Sequence, residues 1–301
     1  MTSKDIIRFA MAALILGVLS SCDGRIEPLE PELPPVTDSE AQGDLVTMTF
    51  SASKPEGVEW KAEDRVAIYD GVAKREFTVA QVKEDGMAVL KGLVAEGAEQ
   101  FYAVWPYAYA SETFPVEGKI SVNIPAVQNV AENAVSDPDA IVYVGQISDG
   151  TITFESAVSH IKVNIPEEVK SVSIKGLAYE NIAGNAASVV LQPSGETFKA
   201  GQYSIAVIPQ TFKLGYKVVY AREGYQAVAK IVPEQGSELV LDPGQIHDIT
   251  ENTVADAFTW LANPIMTEAQ LLEYLANQQA YASEVAKLGA DITLTGTWIP
   301  V

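Results

Sequence analysis

From Leu45 onward the apolar positions of this chain recur mostly at every second residue. "LVTMTFSAS" sets Val46, Met48 and Phe50 against Thr47 and Thr49, and "DRVAIYD" sets Val66 and Ile68 on one face with Ala67 and Tyr69 on the other. "KREFTVAQV", "MAVLKG", "KISVNIP" and "AIVYVGQI" continue the pattern, divided by Gly, Pro, Asp and Glu. Successive side chains of a strand point to opposite faces, so this period predicts strands. Their spacing, with turn residues between them, predicts an antiparallel sandwich over residues 45–150. A second series starts near Thr151 with "TITF" and "AVSHIKVNIP". It runs through "VKSVSIKG", "ASVVLQP", "GQYSIAVIPQ", "YKVVYARE", "QAVAKIVP" and "SELVLDPG" to "IHDIT". That series predicts a second sandwich over residues 151–250. Neither block carries a long helical period, which disfavours a doubly wound α/β fold.

The period changes after Asn252. "MTEAQLLEYLANQQAYASEVAKLGAD" opens with Thr267 followed three residues later by Gln270, the spacing of a capping box. Leu271, Leu272 and Leu275, and then Tyr281, Val285 and Leu288, recur at helical spacing, and Gly289 is placed to end the helix. "DITLTGTWIPV" after it reads as a terminal strand, with Ile292, Leu294 and Gly296 alternating against Asp291, Thr293 and Thr295. The expected fold class is therefore all-β, two tandem sandwiches followed by residues 251–301 as linker, helix and terminal strand.

The first 44 residues follow a different rule. "FAMAALILGVL" (Phe9 to Leu19) is an apolar run too short to span a bilayer, preceded by Lys4 and Arg8 and followed by small residues. It ends in "LSSC", residues 19 to 22, which resembles the lipobox of bacterial lipoproteins. That resemblance implies a signal peptide over residues 1–21 and a diacylglycerol on Cys22, so that outer-membrane lipid is the first expected partner. Cys22 is the one cysteine of the chain, which excludes an internal disulfide. Residues 22–44, rich in Pro and acid and without apolar period, read as an extended, self-repelling tether.

Charge narrows the partners. The chain holds 40 acidic and 20 basic side chains, a formal charge of −20. Loss of residues 1–21 removes Lys4, Arg8 and Asp5 and leaves 280 residues at −21. Such a surface repels nucleic acid, so no nucleic-acid partner is expected.

"WKAEDRVAIY" (Trp60 to Tyr69), "FYAVWPY" (Phe101 to Tyr107), "IPAVQ" (Ile124 to Gln128), "VSHIKVNIP", "IAG" (Ile182 to Gly184), "GQYSIAVIPQ" and "PGQIHDI" form an ordered series over roughly residues 45–250. The series resembles the landmarks of fimbrillin-like lipoproteins of the Bacteroidales. The resemblance implies two transthyretin-like β-sandwich domains, display at the outer membrane, a role in fimbriae or adhesion, and no catalytic residues. Residues 267–301 are similar to the helix and first strand that introduce a parallel β-helix in large adhesin-like surface proteins. Two uses follow for the terminal strand: the start of further rungs, or a strand donated to a fimbrial subunit or to a second copy.

Few residues offer chemistry. His160 and His247 are expected on solvent-facing strand positions, and His247 and Asp248 point to opposite faces. Asp137 with Asp139, and Glu84 with Asp85, lack the ligand run of a calcium loop, and "GNAAS" and "PSGETFKAG" lack the order of a phosphate loop. No catalytic residue, metal site or cofactor is expected. The aromatics remain: Trp60, Trp105, Tyr107 and Tyr109 suit stacking on sugar rings, so surface glycans are a possible class of partner. Within "FYAVWPYAYA" alternation places Tyr102 and Val104 on one face and Phe101, Ala103 and Trp105 on the other, the pattern of a buried strand ended by Pro106. Tyr107 and Tyr109 beyond the proline keep the better claim to a ligand. The expected function is non-catalytic, a lipid-anchored surface protein in adhesion or fimbria assembly, with a glycan-binding lipoprotein of an uptake system as the alternative. The anchor has a direct test: Cys22→Ala should move the protein from the membrane fraction to the soluble fraction, and continued sedimentation with membranes would refute it.

Overall fold

The computed structural model describes residues 44–53, 55, 58–253, 258–279 and 286–296. The signal peptide, Cys22 and the tether lie outside the described residues, as do Tyr281, Val285 and Trp298. The fold is all-β and sandwich-type, as the period of two requires, with one short α-helix among the described residues.

The first seven-stranded sheet takes β1 (Leu45–Ala52), β2 (Arg65–Tyr69), β3 (Lys74–Val82), β4 (Ala88–Ala95), β5 (Tyr102–Trp105), β7 (Tyr143–Ser148) and β8 (Thr151–Ser156). Their order is β1-β4-β3-β2-β5-β7-β8, and the sheet closes into a barrel where β8 runs parallel to β1. Closure is short, through Ser51↔Thr151 and Ala52↔Ile152. It removes the two edges that an open sheet would present.

The strand missing from that list, β6 (Val127–Val130), belongs to the second half of the molecule. There a six-stranded sheet joins β18 (Leu261–Ala262), β15 (Tyr225–Ile231), β14 (Tyr216–Arg222), β10 (Ser171–Gly176), β11 (Ser188–Pro193) and β6. Facing it are a three-stranded sheet, β12 (Gly201–Val207), β9 (Ser159–Ile165) and β17 (Ile246–Asp248), and the pair β13 (Gln210–Phe212) and β16 (Leu239–Leu241). Sheet membership thus crosses residue 150 in both directions: β6 leaves the first block and β8 stays in it.

Two apolar clusters follow. One fills the barrel with Phe50, Val66, Ile68, Phe77, Leu90, Ala103 and Ile152. The larger one joins Ile161, Val163, Val172, Ile174, Tyr216 and Val218 of the second half to Ala67, Tyr69 and Val104 on the outer face of the barrel. β2, β5 and β7 therefore form a wall with a core on each side, which is why "RVAIY" and "YAVW" carry apolar residues on both faces.

Two polar side chains tie these layers. Gln128 on β6 is fully buried. Its amide donates to the Ala206 carbonyl at 2.8 Å and accepts from the Ala206 N–H at 3.0 Å, reaching from one sheet to the β12 backbone of the other. Asp70, 3% exposed, sits at the end of β2. It accepts from the backbone of Val72 and Ala73 in the β2–β3 turn, from Ala95 at the end of β4 at 2.9 Å, and from Arg75 Nε at 2.7 Å.

The C-terminal segment departs from expectation. The capping box forms as the spacing predicts, and helix α1 runs from Glu268 to Ala276. It stops at Asn277, well short of Gly289. That glycine serves a close approach: a Cβ there would sit 2.8 Å from Pro264 and 2.3 Å from Met266 Sδ, where residues 287–289 run parallel beside Ile265. Residues 290–296 are not a strand, because Thr295 donates its N–H and hydroxyl to the Glu268 carboxylate at 2.7 and 2.8 Å and turns back to the helix start.

Asp70 gives the fold a pH signature. Burial alone would raise its pKa, but the Ala73 amide, the Arg75 guanidinium and the Ala95 and Val72 amides outweigh burial and hold it at about 2, against 3.8 ordinarily. A depressed carboxylate stabilises the fold above its unfolded pKa and loses that contribution as pH falls from about 4 to about 2. Asp70→Asn should cost about 3 kcal/mol at pH 7, since it strands a buried partner. The gap to wild type in urea unfolding should then narrow by about 2 kcal/mol on acidification to pH 2. A gap that stays constant with pH would show that the charge of Asp70 is not the stabilising feature.

Candidate functional site

Where β5 ends, Pro106 follows Trp105 through a cis peptide and residues 107–109 wind into a single 3-10 turn. The turn is held by Tyr109 N–H donating to Pro106 O at 3.1 Å and Ala110 N–H to Tyr107 O at 3.2 Å. Beyond it, Asn123 N–H donates to Tyr109 O at 2.9 Å and fixes the turn to the following segment. Three sequence-predicted aromatics, Trp105, Tyr107 and Tyr109, thereby come to one cleft of about 640 Å³. All three are half-buried, as residues lining an open cleft must be.

Each aromatic is fixed differently. Trp105 meets the edge of Trp60 at 5.3 Å and lies 5.9 Å from the Tyr143 ring. Trp60 itself is 6% exposed and donates its indole N–H to Ser53 O at 3.2 Å, so it supports the cleft from inside the barrel and is no stacking platform. Tyr107 carries Lys74 Nζ at 5.0 Å and Arg65 Cζ at 5.7 Å over its ring. The Tyr109 phenol is raised in pKa by burial and by the charges of Asp139 and Asp137, which keeps it protonated.

The opposite rim is the loop before β2, with Val58, Glu59, Lys61, Glu63, Asp64 and Arg65. An extra residue in β3, between Val79 and Gln81, breaks the ladder to β4. On the other edge of β3 the ladder to β2 runs one pair further into this loop, Val79 N–H donating to Asp64 O at 2.9 Å and Val79 O accepting from Glu63 N–H at 3.3 Å. Glu63 is held at φ 71°, the left-handed region that a side chain disfavours. The Asp64 carboxylate accepts from Lys61 N–H at 2.8 Å and closes the turn. Sequence reasoning missed this rim. A bulge and a left-handed glutamate leave no signature in a pattern of apolar alternation.

The other candidates are drawn into structure. His160 lies on the outward side of β9, yet its ring is half-buried, which lowers its pKa, and its buried Nδ1 has no partner. His247 is also half-buried: its Nδ1 shares a hydrogen bond of 2.9 Å with the Tyr216 hydroxyl, which burial keeps protonated. Both are half-buried where solvent-facing positions were expected, His160 on the central strand β9 and His247 against the Tyr216 ring. Asp248 faces away from His247 and pairs with Lys162 at 3.1 Å. Asp137 caps the 3-10 turn at 138–140, accepting from Asp139 N–H at 2.9 Å and Asn129 N–H at 2.7 Å. Among the described residues no three acidic, histidine or cysteine side chains are grouped to hold a metal ion. No described helix is long and apolar enough to cross a membrane.

No protein-family model matches the chain, and no curated protein matches it. Among solved structures, a crystal structure from Bacteroides ovatus described as a "putative cell adhesion protein" aligns with a TM-score of 0.37 at 14% identity, over 67% of this chain and 86% of that one. A likeness of that size carries no weight for function.

Proposed function

We propose that this is a non-catalytic, lipid-anchored surface protein that acts in adhesion or fimbria assembly, with the Trp105–Tyr107–Tyr109 cleft as its contact site. The observation that carries this reading is the cleft itself: three half-exposed aromatics held on a rigid β scaffold, against a rim that the backbone of Val79 ties down and that holds Glu63 at a positive φ. Aromatic rings give much contact area for little conformational entropy, and they dominate recognition surfaces. Neither histidine lines this cleft, which supports a binding role over an acid–base one there. The anchor at Cys22 and the outer-membrane location belong to this proposal, as does strand donation by residues 290–301.

The same aromatics favour a second reading, a glycan-binding lipoprotein of an uptake system, since sugar rings stack on aromatic faces. One set of variants separates the possibilities. Under the adhesion reading, Trp105→Ala abolishes attachment of protein-coated beads to bacterial or host cells. Removal of residues 290–301 abolishes assembly if that segment is donated, and unchanged polymer length after the deletion sinks the donor role. Under the glycan reading, a polysaccharide quenches tryptophan fluorescence in wild type and not in Trp105→Ala. Full attachment by Trp105→Ala beads overturns the cleft as contact site.

A further inference from the structure

The side chains around the cleft differ in how far their charges are matched. Arg65 pairs with Glu76 at 3.4 Å, and Lys74 is bound to Glu112 while also donating to Ala110 O at 3.4 Å. Both cations over Tyr107 thus have counter-charges of their own. The Asp64 carboxylate closes its own turn. Glu63 and Asp139, both in the cleft lining, are exposed, and neither carboxylate has a hydrogen-bond or ion-pair partner among the described residues. Glu63 stands there in a backbone conformation that a glycine would adopt without strain.

This arrangement discriminates among ligands. Against one unmatched cation in the lining, Lys61, stand two unmatched carboxylates, so an anion meets net repulsion. A neutral sugar filling the cleft would strip water from them and return no counter-charge, which is costly. A cation on a long apolar stem meets both needs, because its charge pairs with the carboxylates and its stem and head lie on aromatic faces. Lys74 and Arg65 over Tyr107 show a ring of this cleft already accepting both types of cation. We propose that the cleft binds Lys or Arg side chains of an extended segment of a partner polypeptide, held between Glu63 and Asp139 and packed on Trp105 and Tyr109. The formal charge of −20 would steer such a partner inward.

The inference rests on the cleft being the contact site, and the experiment keeps the two apart. A fluorescein-labelled octapeptide of alternating Arg and Gly is titrated with full-length protein by anisotropy, beside a Gln–Gly counterpart. The Arg peptide should bind and the Gln peptide should not. Glu63→Gln with Asp139→Asn should weaken binding about tenfold, while Glu96→Gln with Glu99→Gln, exposed acids at the other end of β5, should weaken it less than about twofold. Equal weakening by both pairs would reduce the effect to diffuse charge and overturn the proposal. So would an unchanged affinity in the cleft pair, or binding of the Gln peptide as tight as that of the Arg peptide. If Trp105→Ala abolishes bead attachment while the cleft pair leaves Arg binding intact, the contact site stands and only its cation preference falls.

Discussion

The facing of the two sheets in the second half depends on the bond between Gln128 and Ala206. β12 is the edge of its sheet, and its unpaired backbone groups point toward the neighbouring layer. Gln128 meets both polar groups of Ala206, while Val135 O accepts from Ser204 N–H and Ile182 O from Ile208 N–H, each at 2.8 Å. Two of these three partners come from residues 127–135, the excursion that the chain makes between β5 and β7. The barrel's own sequence therefore covers the edge of the sandwich beside it. Buried donors and acceptors left unmatched cost about 1–3 kcal/mol each, so this cover decides whether β12 can lie where it does.

The cleft inherits its rigidity from the same construction. β2 and β5 form the wall between two apolar cores, so neither can shift without opening a packed face. Trp105 ends one of these strands and Arg65 begins the other, which places the aromatic and loop rims on neighbouring elements of one wall. Asp70 fixes the far end of β2 by binding the β2–β3 turn and the close of β4 together. A recognition surface built this way is preformed and loses little freedom on binding.

How much of this was legible in the sequence differs from element to element. The strands follow from alternation, and the two-faced apolar pattern of Ala67, Tyr69 and Val104 correctly marks strands buried on both sides. The capping box at Thr267 and Gln270 is local chemistry and forms as read. Alternation fails at "VQNV", where Gln128 is buried and Val127 is 46% exposed. Burial there is decided by a backbone carbonyl 78 residues away. The aromatic half of the cleft could be named from the chain because its residues are consecutive. Its acidic half could not, since Glu63 and Asp139 lie 76 residues apart and only the fold brings the loop before β2 and the turn at 138–140 into one lining. Gly289 was misread for a similar reason: a glycine that ends a helix and one that makes room for a proline look alike in sequence.

The short parallel contact between β1 and β8 bears on load. β1 is the first described strand and β8 leads directly into the second half, and the two lie side by side in the same direction. Tension applied between the start of β1 and the far end of the chain pulls them along their length in opposite senses. Their hydrogen bonds, and the eight-pair ladder from β1 to β4, are then stressed together in shear rather than peeled one at a time. The barrel seam is thus oriented as a mechanical clamp against tension along the chain.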